Sequence, residues 1–140
     1  MDRAELVRSN LRGADLAGKD LSHINFSGKD LSEAILTGAN LSGATLIGAD
    51  LTDSHLDGAN LSGVNVRNDD LSGTDFRGAN LRLTHHLSSE QVQSAIIDRE
   101  TLLPPNLQVT WTSETSFVCE ETQRKKKTGD PAVGDESPGE

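Results

Sequence analysis

From Leu6 to Leu81 every fifth residue is Leu, Phe or Val, sixteen apolar centres without a miss. Two places before each centre the residue is usually small, as at Ala34, Ala39, Ala44 and Ala49. One place before it Asp or Asn dominates, and two places after it Gly occurs ten times between Gly13 and Gly78. The repeating unit is A-(D/N)-L-x-G. A period of five matches neither the turn of a helix nor the alternation of a plain strand, so neither element can place every centre inside. The chain must instead turn a corner every five residues, with Asp, Asn, Ser, Thr and Gly supplying turn chemistry, including positive φ where Gly sits. Four such sides close a square of about twenty residues, and successive squares stack at roughly 4.8 Å. The small residue then packs beside its centre in a tube too narrow for a second large side chain.

A chain built this way resembles the pentapeptide-repeat family, and the resemblance covers residues 4 to 83. It implies an all-β solenoid, a right-handed quadrilateral β-helix of about four coils, with repeats stacked on their neighbours. It also implies a non-enzymatic protein, because most members of the family have no assigned activity. Some pentapeptide-repeat proteins resemble duplex DNA in width and charge and bind type II topoisomerases such as DNA gyrase, protecting them from drug inhibition or imitating it.

Stacked coils leave unpaired edges and an open apolar core at their ends, which have to be covered. Residues 84–107 are the expected C-terminal helical cap. Ser88 with Gln91 forms a capping box, and Leu87 with Val92 has the spacing of a hydrophobic staple. These predict a helix from near Ser89 to about Ile97, with Val92, Ala95 and Ile96 over the last coil. Bacterial members of the family often carry a similar segment after their repeats, which points to a bacterial source. Residues 108–119 alternate enough for a short strand or an extended strap anchored by Trp111 and Phe117. Residues 120–140 are read as a disordered tail, and the basic run Arg124 to Lys127 within it as solvated.

Composition narrows the function. The net charge of −9 disfavours direct binding of nucleic-acid phosphates, which needs a basic face. No apolar run has the length of a signal peptide or membrane span, so a cytoplasmic chain with no membrane attachment is expected. Cys119 is the single cysteine, which rules out an intramolecular disulfide. His23 and His55 fall on different sides of the square, and His85 and His86 are adjacent, so no metal site is expected. The glycines follow the five-residue lattice and not a phosphate-binding order. No cofactor and no catalytic constellation are read from the chain. The expected partner is a protein, and a homodimer through the C-terminal cap would lengthen the rod.

The surface holds the best candidate. Residues twenty apart stack in columns, and one side carries Asp30, Asp50 and Asp70 outward, one above the next. Glu33 and Asp53 stand at the adjoining corner with Asp69 beside them, whereas the opposite side carries Asp20, Asn40, Asn60 and Asn80. Carboxylates stacked about 5 Å apart repel by roughly 1 kcal/mol per neighbouring pair even at the dielectric of water. Two readings of the row stay open. It is an anionic stripe that meets a basic protein surface or imitates nucleic-acid phosphates. Alternatively, each Asp simply accepts a bond from a turn amide. The candidate partner-binding residues are Asp30, Asp50, Asp70, Glu33 and Asp53. Lys19 and Lys29 stand where the repeat asks for alanine, and each is read as a stem led past the corner with its ammonium in water, Lys29 offsetting part of the Asp30/Asp50 repulsion.

Overall fold

The computed structural model describes residues 2–122. All sixteen centres are buried, none more than 3% exposed. In one repeat after another the carbonyl of the centre accepts a hydrogen bond from the amide three residues on, as from Ala39 to Leu36 at 2.9 Å and from Ala49 to Leu46 at 2.8 Å. The residue two past the centre has positive φ in fourteen consecutive repeats. Ten of these are glycine, at 67° to 74°, and the other four are His23, Glu33, Asp53 and Asn68, at 59° to 64°. This is the signature of a type II turn, whose third residue is left-handed. It explains the glycine of the motif, because every other residue meets a steric penalty there.

Coils are joined by parallel bridges between residues twenty apart, one residue per side. Asp15, Ile35, His55 and Asp75 form one column, followed round the turn by Asp20, Asn40, Asn60 and Asn80. Asn25, Thr45, Asn65 and His85 form the third, and Asp30, Asp50 and Asp70 the fourth. In each rung the outward residue donates to the coil below while its carbonyl accepts from a centre of that same lower coil, as in Ile35 to Ala14 at 2.8 Å and Leu16 to Ile35 at 2.7 Å. The result is a solenoid whose core is a file of leucines, with the small residues Ala34, Ala39, Ala44, Ala49, Ala59 and Ala79 also at most 1% exposed.

The two ends depart from the pattern. At the lower end, the first repeat is a helix, α1 (Arg3–Arg8), N-capped by Asp2 in a capping box with Glu5. Leu6 remains buried, with no coil beneath it among the described residues, and a helix satisfies its own amides where a rung would leave them unpaired. The Arg3 guanidinium donates to the carbonyls of Asp20 and Ser22. One coil up, the equivalent carbonyls of Asn40 and Ser42 accept from backbone amides of the coil below, so Arg3 supplies donors that a missing coil would have supplied.

At the upper end α2 (Ser89–Ser94) starts at the Ser88/Gln91 capping box but stops before Ile97. The chain leaves the helix to rejoin the ladder, with Ile96 bridged to Asp75 and Leu102 to Asn80. Pairing Ile96 with Thr74 and Phe76 satisfies two edge groups that a further helical turn would leave open. Strand alternation then turns Ile97 inward and leaves Ile96 48% exposed, the reverse of the helical stripe expected for Ile96. Gln91 Nε2 donates to the carbonyls of Val66 and Asp69, doing for this edge what Arg3 does for the other. The segment read as a strap is a hairpin, β1 (Leu107–Trp111) antiparallel to β2 (Phe117–Glu121), so Glu120 and Glu121 are strand residues. Thr122 follows, its amide donating to the Asn106 carbonyl at 2.8 Å, and residues 123–140 of the expected tail, including Arg124 to Lys127, lie outside the described residues. Gln93 ties the hairpin to α2, accepting from the Cys119 amide and donating to the Phe117 carbonyl, both at 2.7 Å. Arg99 stacks 4.6 Å over Trp111, which packs against Phe117 with ring centroids 5.5 Å apart.

Candidate functional site

Asp30, Asp50 and Asp70 stand in one column, joined rung to rung. Each carboxylate closes a small turn with the residue two places on: Asp30 Oδ1 accepts from Ser32 N at 2.9 Å, Asp50 Oδ1 from Thr52 N at 2.9 Å and Asp70 Oδ1 from Ser72 N at 3.1 Å. The Ser32 and Thr52 hydroxyls donate to the same oxygens. The turn-amide reading is therefore correct at the atomic level, and it has an electrostatic consequence. The Ser32 hydroxyl, then its amide, hold the Asp30 carboxyl below the usual range, and the Ser72 amide and hydroxyl do so for Asp70. A donor aimed at a carboxylate favours the ionised form. At Asp30 and Asp70, turn chemistry and a persistent negative charge are one arrangement.

The flanking residues differ among themselves. Glu33 and Asp53 are at the corner, both left-handed, at φ 61° and 59°. Glu33 lies 3.6 Å from Arg12 with both side chains more than half exposed, a pair of little energetic weight. Asp53 lies against Gly73, the residue above it in the column, where a side chain would collide with its carboxylate. Asp69, which the sequence places beside the row, is not at the surface. It occupies an alanine position, 7% exposed, and its Oδ1 accepts from the Ala49 amide at 3.0 Å. Its Oδ2 is buried without a partner among the described residues. Burial, opposed only by backbone amides, pushes its pKa up to about 8, so it adds no charge to the wall at neutral pH. Lys29, in the same column, makes no ion pair with the row among the described residues. Its Nζ donates at 2.9 Å to the carbonyl of Ser9, which ends α1.

A family model for pentapeptide repeats matches in eight copies, over residues 4–34, 20–53 and 54–84. The chain belongs to the pentapeptide-repeat family. Among solved structures it is similar to a pentapeptide-repeat protein from Nostoc, at 29% identity over 73% of this chain and 82% of that one, with a TM-score of 0.45. It is also similar to one from the thylakoid lumen of Arabidopsis thaliana, at 27% identity over 74% of this chain and 64% of that one, with a TM-score of 0.35. A third likeness is to a plasmid-mediated fluoroquinolone resistance protein, at 26% identity over 57% of this chain and 37% of that one, with a TM-score of 0.32. The chain thus spans under two thirds of the length of the second and third. No curated protein matches it.

Elsewhere on this pentapeptide-repeat protein, Cys119 is buried in β2, and burial together with Glu121, Glu120 and Glu90 pushes its thiol up to about 11. Between rod and cap lies a polar cleft of 640 Å³, bordered by Arg67, Asn68, His86, Asn106 and Glu121. Its Ser88 and Gln91 are engaged in the capping box and in Gln91's bonds to the rod, so no nucleophile stands ready beside a base among them. No described helix is long and apolar enough to cross a membrane. The residues that sequence reading passed over are His55, Asp57 and Asp75, whose ligand atoms lie within 4.8 Å of one another. The twenty-residue step places Asp75 directly above His55, and that column was legible, but attention to histidine pairs alone did not find it.

Proposed function

We propose that this protein is a non-enzymatic scaffold, a right-handed quadrilateral rod of about four coils, closed above by α2 and its hairpin, that presents flat walls to a protein partner. The observation that carries the reading is the straight stacking of outward residues on every side, which turns a repeat into four rigid walls of fixed spacing. Fold alone does not assign function, and the partner is defined by the wall it meets. The test is affinity capture with the full chain and with two wall variants, Asp30→Asn/Asp50→Asn/Asp70→Asn and Asn40→Ala/Asn60→Ala/Asn80→Ala, followed by direct titration of the captured protein. A partner that loses affinity for one variant and keeps it for the other supports a wall-specific scaffold. Equal binding to both, or none, defeats it.

The acidic row favours one narrower reading. Its carboxylates stand in a straight line, with turn donors holding Asp30 and Asp70 ionised, which suits a basic groove built for duplex phosphates. On this reading the protein is a DNA mimic that regulates or protects a type II topoisomerase such as DNA gyrase. Supercoiling and drug-inhibition assays with native protein and the triple Asn variant decide it. Loss of an effect in the variant supports mimicry, and no effect of native protein at micromolar concentration sinks it. Pairing of two copies through the cap would lengthen such a mimic, and sedimentation equilibrium reads that directly.

A further inference from the structure

The column next to the acidic row carries a second cluster. His55 and Asp75 are bridged neighbours, and Asp57 comes two residues after His55. Their three ligand atoms lie within 4.8 Å of one another. Nitrogen and oxygen ligands sit about 2.0–2.2 Å from zinc, so two on one ion are at most about 4.3 Å apart. The few tenths of an ångström between the two limits are within the reach of side-chain rotation, and His55 is exposed and Asp57 half-buried. Each carboxylate is anchored through one oxygen: Asp57 Oδ1 accepts from Thr37 Oγ1 at 3.0 Å, and Asp75 Oδ1 from the Arg77 amide at 3.0 Å. Hydrogen bonds of this kind orient metal-bound carboxylates while the other oxygen ligates.

A cation already stands there. Arg77 Nη2 is 2.7 Å from Asp75 Oδ2 and Nε is 3.2 Å from it, and these bonds hold the Asp75 carboxyl below its usual range. Asp75 is only 6% exposed, so its charge needs a counter-ion. The Arg77 side chain is 58% exposed and can swing into water without moving the backbone.

We propose that His55, Asp57 and Asp75 bind a divalent ion of the zinc class, which takes the place of the Arg77 guanidinium. One imidazole with two carboxylates suits Zn2+ or Mn2+ better than Mg2+ or Ca2+, which favour all-oxygen shells. Exchanging a single positive charge for a double one takes the three ligands and their cation from −1 to neutral.

Isothermal titration of the full chain with ZnCl2 at pH 7.5, repeated for Asp57→Asn, Arg77→Gln and Arg77→Gln/His55→Gln, tests this. With the competing guanidinium gone, Arg77→Gln is expected to bind one Zn2+ at least tenfold more tightly than native protein. Adding His55→Gln should reverse the gain, and Asp57→Asn, an exchange of near-equal size, should weaken native binding about tenfold. If Arg77→Gln and the double variant bind equally, the ion is adventitious only, held by groups such as His85 and His86. No tightening in a folded Arg77→Gln, or unaltered binding by Asp57→Asn, overturns the site as well.

Discussion

Replacing Asp69 by alanine should stabilise this protein, and by an amount that grows with pH. The substitution restores the residue the repeat uses. It removes a carboxyl whose Oδ2 is buried without a partner, a defect of about 1–3 kcal/mol for a polar group. What is lost is the bond from the Ala49 amide, worth about 1 kcal/mol. That amide also donates to Leu46 at 2.8 Å, so it is not left orphaned. Below about pH 3.8, where the carboxyl is protonated in both states, the difference is what remains of these two, about 0–2 kcal/mol. Above that the linkage takes over. Asp69 titrates near 8 in the folded chain against 3.8 without the fold, so between those values the native state holds one proton more than the unfolded state. Native stability therefore falls as pH rises through this window, with a limiting slope of about 1.4 kcal/mol per pH unit, and levels off above it. Allowing for water entering around the ionised group, Asp69→Ala should be at least ~2 kcal/mol further ahead of native protein at pH 8 than at pH 5. Urea unfolding of both chains at pH 5, 6.5, 8 and 9.5 measures this as a pH-dependent gap in midpoint at constant m. A gap that does not change with pH would mean Asp69 is ionised throughout, and the argument from burial would fail.

Leu51→Ala removes a fully buried centre whose rigid coils above and below cannot close the space. A loss of about 3–5 kcal/mol in urea unfolding is expected, and under 2 would show that the coils collapse around cavities. Glu33→Gly relieves a left-handed residue at the loss of an exposed ion pair, so a gain of about 1 kcal/mol should appear as a raised Tm. A drop would show that Arg12 matters more than the backbone. Gln93→Ala unpins the hairpin from α2, and thiol labelling of Cys119 should accelerate severalfold while the rod's far-UV signal is unchanged. Unaltered labelling would mean the hairpin is held by its aromatic contacts instead.

The rod was readable because a single geometric demand, a corner every five residues, is written sixteen times. Within the repeats, His23, Glu33, Asp53 and Asn68 cost little legibility at their left-handed positions, since their neighbours fixed the lattice for them. The ends were less readable because there the lattice competes with a different requirement, the covering of open edges. Asp2 and Glu5 spell a capping box as plainly as Ser88 and Gln91, yet Ala4 and Leu6 also fit the repeat, and pattern alone cannot say that no coil lies below. Ile96 and Ile97 have the same problem, since a helical stripe and a strand alternation both fit until the unpaired groups of Thr74 and Phe76 are counted. At the candidate wall the row itself was legible from the twenty-residue step. The depth of Asp69 agrees with its alanine position, but its charge made it look like a surface residue. The reach of Lys29 to Ser9 depends on α1 and so could not be read before α1 was.

Because each side of the rod contributes a single bridged residue, insertions and deletions have only two clean outcomes. Adding or removing twenty residues changes how many coils lie between Arg3 and Gln91 but leaves the hairpin over the same wall. A change of five residues instead rotates everything above it by a quarter turn, carrying the hairpin from one wall to the next while every leucine stays inside. Lineages that share this rod can therefore differ in which face their cap overhangs through a duplication too short to disturb the core, and surface geometry can diversify by slippage rather than by substitution.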